Sequence, residues 1–308
     1  MTEKVIGVPG ERSAQGKEIY IESMELSAPD KEKVFPYVKD GIIVDAGAGA
    51  GPVTERLIKK FPGSRIIAVD VSQDMVGKLT DRFSDEKNVE VIKADIVDFK
   101  YPEKVDTMIF ISTLHEVFSS NGYNHEVVIE ALKNANESLK KGGRIIIRDG
   151  VQPEAEQLYL KPLSKFACDR FSEFVRGFRQ VRDVNYMIGD FHSDVFVQSG
   201  RRDLRESDIG KSLIEISSQS ASEMFSKYFY PKENLPIELS EQFGVWTMRE
   251  YQKILLEAGF HVVHSETYVL PYLIENHYSK DFEVFHLVDG ILGNAPYPPS
   301  TMILVGEK

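Results

Sequence analysis

Three glycines at alternate positions, in Asp45-Ala46-Gly47-Ala48-Gly49-Ala50-Gly51-Pro52, form the stretch of this chain best suited to hold a ligand by its backbone. Such spacing lets a ligand approach the main chain without meeting a Cβ, and a helix starting just beyond adds N–H groups that have no partner within the helix. Acids recur around it: Asp45 precedes the glycines, Asp70 lies 19 residues after Gly51, and Asp95 follows. A carboxylate at Asp70 suits the paired hydroxyls of a ribose. Further on, His115-Glu116 and Asp149 supply groups that take or give a proton, with His192 a more distant candidate. These residue types describe a nucleotide-cofactor turn beside acid–base chemistry.

Each of these residues needs an element to place it. Gly41-Ile42-Ile43-Val44 is a short apolar run bounded by a turn signal, which predicts a buried strand. Residues 53–60 carry apolar side chains at helical spacing, with Pro52 at the first helical position, so the glycines turn a strand into a helix. Strands are also predicted over 65–71, 89–95, 105–111 and 144–149, with helices over 73–83 and 125–139, the latter ended by Gly142-Gly143. Strands rich in β-branched residues alternating with helices predict a doubly wound α/β fold around a mostly parallel sheet. Ligands of such sheets bind beyond the C-terminal strand ends, where strand order reverses. Asp45, Asp70, Asp95, Ser112, His115, Glu116 and Asp149 all fall at such ends.

Four stretches follow from this pattern. Residues 1–40 read as an irregular arm, with a short helix over about 18–26, and a first helix from Asp30 to Lys39. Residues 41–150 form the core. Residues 151–245 lose the strand–helix alternation, and Phe166, Phe171, Phe174 and Phe178, then Ala221, Met224, Phe225 and Tyr228, make stripes at helical spacing. This predicts a largely helical insertion after the fifth strand, acting as a lid or acceptor-recognition subdomain, with residues 186–198 a hairpin or loop. Residues 246–308 supply a helix over 248–258 and strands over 260–269 and 301–305, which complete the core sheet.

With 308 residues, 42% hydrophobic and 28% charged, the chain can bury a substantial core. Its 37 Lys and Arg against 48 Asp and Glu give a net charge of −11, which opposes non-specific binding to nucleic acid or an anionic membrane. Cys168 is the single cysteine, so neither an internal disulfide nor a thiolate metal cluster is available, and no metal is expected. The lack of a secretory segment and of any membrane-length apolar run points to the cytoplasm. Against the acidic whole, Lys161, Lys165, Arg170, Arg176, Arg179, Arg182, Arg201, Arg202 and Arg205 concentrate positive charge, interleaved with Asp169, Glu173, Asp183 and Asp203. That pattern fits helix-surface charge better than it fits a grip on an anionic acceptor or RNA.

On these motifs the chain resembles the class I S-adenosylmethionine-dependent methyltransferases over residues 40–150 and the final 60. Asp45-Ala46-Gly47-Ala48-Gly49-Ala50-Gly51 is similar to the family's first motif. Its third glycine follows the second by two residues rather than three, with Pro52 next, which departs from dinucleotide spacing. Residues 106–117 resemble the fourth motif and 139–144 the lead into the fifth strand. The resemblance implies a seven-stranded sheet with an antiparallel last strand, S-adenosylmethionine as donor and S-adenosylhomocysteine as product. It further implies cofactor contacts from Asp45, Gly47, Ala48, Gly49, Gly51, Asp70, Val71, Asp95, Ile96 and Ser112, with Asp95 at the position that hydrogen-bonds the adenine amino group. His115, Glu116 and Asp149 are then the catalytic candidates for methylation of an oxygen or nitrogen, on a small molecule held under the insertion. RNA or protein methylation, a non-catalytic cofactor-binding protein and a nicotinamide-dependent oxidoreductase stay open as alternatives, the glycine spacing opposing the last. Oligomeric state is not set by these motifs.

Overall fold

The computed structural model describes residues 14–101, 103–180, 184–190, 195–198 and 204–308. Helix α1 (Ala14–Lys31) precedes β1 (Ile42–Ala46), α2 (Pro52–Lys60), β2 (Arg65–Asp70), α3 (Gln73–Arg82), β3 (Val89–Lys93), β4 (Val105–Ile111), α4 (Leu114–Ser120), α5 (His125–Ser138) and β5 (Leu139–Gly150). Then come β6 (Gln157–Pro162), α6 (Lys165–Gly177), β7 (Val184–Asp190), β8 (Val195–Gln198), β9 (Ser212–Ser217), α7 (Ser218–Lys227) and α8 (Leu235–Glu238). The chain ends with α9 (Met248–Glu257), β10 (His261–Tyr268), β11 (Phe282–Val288), β12 (Ile291–Asn294) and β13 (Thr301–Glu307). It divides into two units, one of Met1–Gly150, Met248–Glu266 and Met302–Lys308, the other of Val151–Thr247 and Thr267–Thr301.

The first unit carries a seven-stranded sheet in the order β10-β13-β5-β4-β1-β2-β3. β1 pairs in parallel with β2 and with β4, β2 with β3, and β4 with β5. Ile43, Val44, Ile66, Val69, Ile109, Phe110, Ile145, Ile147 and Ile303 are buried, as expected of strands covered on both faces. The chain builds β1, β2 and β3 outward in one direction, then returns to place β4 on the other side of β1. The reversal opens a crevice beyond the C-terminal ends of β1 and β4, and the glycine turn and residues 112–116 both leave the sheet there.

Three expectations are corrected. The N-terminal arm is not irregular around a short helix: α1 runs 18 residues to Lys31, and residues Glu32–Tyr37, expected as an α-helix, form a 3-10 helix that includes Pro36. The insertion is not largely helical. The second unit holds a six-stranded antiparallel sheet, β12-β11-β6-β9-β7-β8, with the aromatic stripes of α6 and α7 packed on it. Phe171, Phe174, Phe225 and Tyr228 bury against Leu158, Leu160, Ile214, Ile216 and Val284. Residues 267–301, expected to complete the core sheet, return instead to this unit and supply β11 and β12. Its strands are short and pair across long separations, so they leave a weaker local signature than the helices beside them. One signal was there to be read: Asp289-Gly290, at φ 51° and 80°, is a two-residue hairpin turn between apolar runs. The hairpin-or-loop at 186–198 contains the antiparallel pair β7–β8. Phe191, His192, Arg182, Asp183, Arg201, Arg202 and Asp203 lie outside the described residues.

Candidate cofactor cradle and acid–base site

The turn after β1 is built from its own hydrogen bonds. The N–H groups of Gly47 and Ala48 both donate to the Val69 carbonyl, at 2.8 and 2.9 Å, and Gly51 N–H donates to Ala48 at 3.0 Å. All three glycines have positive φ, yet they face different neighbours. A Cβ on Gly47 would strike Thr113 and one on Gly51 would strike Phe83, so those two are required by packing. Gly49 instead faces the side chain of Met24 on α1. None of the three glycines therefore faces open space: the approach expected there is filled by Thr113, Met24 and Phe83.

Asp70 joins this turn to the second strand. Its carboxylate accepts N–H bonds from Gly49 at 2.9 Å and Ser72 at 2.8 Å, while burial pushes its pKa up. Asp45 is more deeply buried, 2% exposed, and accepts the Thr54 hydroxyl at 2.6 Å. Desolvation drives its pKa up to about 6, with Asp70 adding to the rise and Thr54 and Lys31 opposing it. Ala48 is buried within the turn. On the rim, Val71 is 64% exposed, an unusual apolar surface directly after a buried strand. Ala94 N–H donates to the Asp70 carbonyl at 3.1 Å, which brings exposed Asp95 and buried Ile96 alongside the end of β2. A buried carboxylate bound to the glycine turn and an apolar rim fit an adenosyl group. Asp70→Ala is expected to weaken S-adenosylhomocysteine binding by on the order of 1–3 kcal/mol, read by calorimetry. An unchanged affinity would remove Asp70 from the cradle.

On the other side of the crevice, Ser112, directly after β4, lies in the left-handed region, φ 55°, uncommon for a residue with a side chain. Thr113 Oγ1 donates to the Ala46 carbonyl at 3.1 Å, tying β4 to the cofactor turn. Asp149, fully buried at the end of β5, reaches across to the start of α4. One of its oxygens accepts the N–H groups of Thr113, Leu114 and His115 at 3.1, 2.7 and 3.3 Å, a cap supplied by a neighbouring strand. The other meets His115 Nδ1 at 2.5 Å and Gly150 N–H at 2.7 Å. Burial alone would raise the Asp149 pKa, but the charge and hydrogen bond of His115 and the backbone donors outweigh it and hold the carboxyl below its ordinary value. With both oxygens engaged, Asp149 is placed to orient His115 rather than to meet an acceptor itself. Glu116, half-buried, accepts the Tyr20 hydroxyl at 3.1 Å.

Several residues here carried no prediction. Arg148 is buried, its Nη2 2.6 Å from Asp30, and its Nη1 donates to Ser112 Oγ at 3.4 Å. Burial raises the Asp30 pKa, but Lys33 and Arg148 outweigh it and lower the carboxyl overall. Arg148 follows directly on Ile145-Ile146-Ile147, and a charge ending so apolar a strand was a readable signal. Tyr251 on α9 lies fully buried, its hydroxyl pushed well above the usual range by burial and by the Asp149 charge. Tyr20 and Lys31, on a helix not expected in full, had no such signal.

Residues 43–143 match the family model of a methyltransferase domain. The chain is similar to malonyl-[acyl-carrier protein] O-methyltransferase 2 of Ilyobacter polytropus, 28% identical over 181 residues, covering 53% of this chain and 64% of that protein. It is also similar to ribosomal RNA small subunit methyltransferase A of Mycoplasma capricolum, 35% identical over 60 residues, 20% of this chain and 21% of the relative. The chain thus spans less than two thirds of the length of either relative. Among solved structures, the S-adenosylmethionine-dependent methyltransferase SibL in its apo form shares the fold, with a TM-score of 0.51 at 13% identity over 96% of this chain and 60% of that one. Residues 43–143 thus form a methyltransferase domain, built into the seven-stranded sheet of the first unit.

Proposed function

We propose that this chain methylates a hydroxyl or amine of a small molecule, with S-adenosylmethionine as donor and S-adenosylhomocysteine as product. The observation that carries this reading is the His115–Asp149 pair at the crevice where the cofactor turn leaves the sheet. A sulfonium-bound methyl group is already activated, so the protein's share is to align the acceptor and, where needed, remove its proton. Asp149 holds the Nδ1 side of His115, which assigns proton exchange to Nε2. A buried, ionised Asp149 stabilises the imidazolium formed when His115 takes the acceptor's proton. A free carboxylate acceptor is already ionised and needs no such base, so the dyad favours a hydroxyl or amine. Gly49, Asp70, Val71 and Asp95 would hold the adenosyl part of the donor, with Asp45 and Ser112 at the inner edge of the crevice.

A macromolecular acceptor is less well supported. In the Arg-rich stretch, Lys161 faces Glu283 at 2.9 Å, Lys165 faces Asp169 at 2.6 Å and Arg170 faces Glu173 at 3.3 Å, so these cations are paired with acids of their own unit. The test is twofold. Calorimetric titration with S-adenosylmethionine, S-adenosylhomocysteine and NADH separates the donor from a nicotinamide. Incubation with methyl-labelled donor, offering a metabolite extract, total RNA and an acyl-carrier thioester in parallel, reports the acceptor class. His115→Ala is expected to lower turnover by about 10²-fold or more while S-adenosylhomocysteine affinity holds. Equal turnover by wild type and variant would remove the base, and label on RNA alone would overturn the small-molecule reading. Failure to label anything, with donor binding intact, would favour a non-catalytic binding protein.

A further inference from the structure

Helix α1 is fastened across the cofactor turn. Met24 Cε stands 2.2 Å from where a Cβ on Gly49 would lie. Glu25 pairs at 2.6 Å with Arg82, whose Nη1 also donates to the Ala50 carbonyl at 3.1 Å. Tyr20 bonds Glu116, and Asp30 bonds Arg148. At the end of this helix Lys31 is buried, 7% exposed, and among the described residues no oxygen lies within hydrogen-bond or ion-pair distance of its Nζ. Asp45 and Glu116 act on it only through space, while Asp45 is committed to Thr54 and Glu116 accepts Tyr20. Burial, and then the nearby Arg148 charge, push the Lys31 pKa down to about 8. A largely desolvated lysine whose ammonium has no acid at pairing distance, close enough to Asp45 beside the glycine turn to feel its charge, is placed to receive an incoming anion.

We infer that Lys31 is the anchor for the carboxylate of the donor's amino-acid end, with Asp45 and Glu116 providing the complementary negative field for its ammonium. The inference rests on the donor reading above and adds to it a residue from α1, outside the matched domain. A single compact charge with three donors suits a carboxylate, and the neighbouring acids suit the zwitterion that carries it. On this account the amino-acid end of the donor is recognised separately from its adenosine.

The test compares S-adenosylhomocysteine with 5′-methylthioadenosine, which keeps the adenosine and lacks the amino-acid end, by calorimetry on the full chain. Lys31→Met is expected to weaken S-adenosylhomocysteine binding at least 10-fold and to leave 5′-methylthioadenosine within about twofold, and Lys31→Arg to restore most of the loss. Equal losses for both ligands would mean that Lys31 serves only the packing of α1, and no loss for either would equally overturn the assignment. Thermal unfolding of the variants separates misfolding from lost recognition. Should S-adenosylhomocysteine not bind the wild-type chain at all, the donor reading fails first and Lys31 loses this role with it.

Discussion

Asp149→Ala is expected to cost about 3–5 kcal/mol of stability, the scale of removing one partner from a buried charged network. The carboxylate is 1% exposed and serves three N–H groups at the start of α4, the Gly150 N–H and the His115 ring. Alanine would leave all of these donors in a space that water does not reach, and each buried unsatisfied donor costs about 1–3 kcal/mol. Asp149→Asn keeps the volume and one carbonyl oxygen, so its loss should be smaller. Urea unfolding of the two variants checks the order, and equal midpoints for wild type and Asp149→Ala would contradict it. The pH dependence follows from the lowered pKa. Because the folded carboxyl holds its proton less tightly than an unfolded one, its contribution is present above about pH 4 and is lost as the pH falls through the folded value. Methyl transfer should fall in both variants, since neither holds His115 with a full negative charge.

Asp45→Asn should move stability the other way. Asp45 is a buried acid raised from 3.8 to about 6, so the fold favours its protonated form. The sign is therefore opposite: its contribution is fully present below about pH 4 and declines as the pH rises to about 6, by about 3 kcal/mol in all. Asparagine cannot ionise and its carbonyl can still accept the Thr54 hydroxyl. At pH 7 the variant is expected to gain about 1–3 kcal/mol, and its stability should change less than that of the wild type between pH 4 and 6. Urea titrations at pH 4, 5, 6 and 7 decide this, and a gain of the same size at every pH would rule out ionisation of Asp45 as the cause. Donor affinity should fall in the same variant, because a charge held at a cost beside the cofactor turn points to use in binding.

Asp45 on β1 and Asp149 on β5, with β4 between them, are both buried acids at strand ends, yet their pKa values shift in opposite directions. Asp45 has one hydroxyl donor and the Lys31 charge acting through space, too little to offset desolvation, whereas Asp149 has a full set of backbone donors and an imidazole at contact distance. Both carboxylates stood out in the sequence as strand-end acids. Their difference arises from residues far along the chain, since Asp149 reaches His115 across 34 positions.

What the sequence by itself determined was local: the turn from β1 to α2, the buried apolar strands, the acids that end them, and hence the methyltransferase domain over residues 43–143. Those features depend on residues within a few positions of one another, where φ preferences and side-chain periodicity act directly. The tertiary structure alone decided that Gly47 and Gly51 face protein while Gly49 faces α1, and that residues 267–301 return to a second sheet. It also joined Tyr20 to Glu116 across 96 positions and Asp30 to Arg148 across 118, and with them brought Lys31 within the field of Asp45 and Glu116. Such pairings follow the path of the whole chain: burial makes the contacts strong, and nothing in the residues adjacent to either partner specifies them.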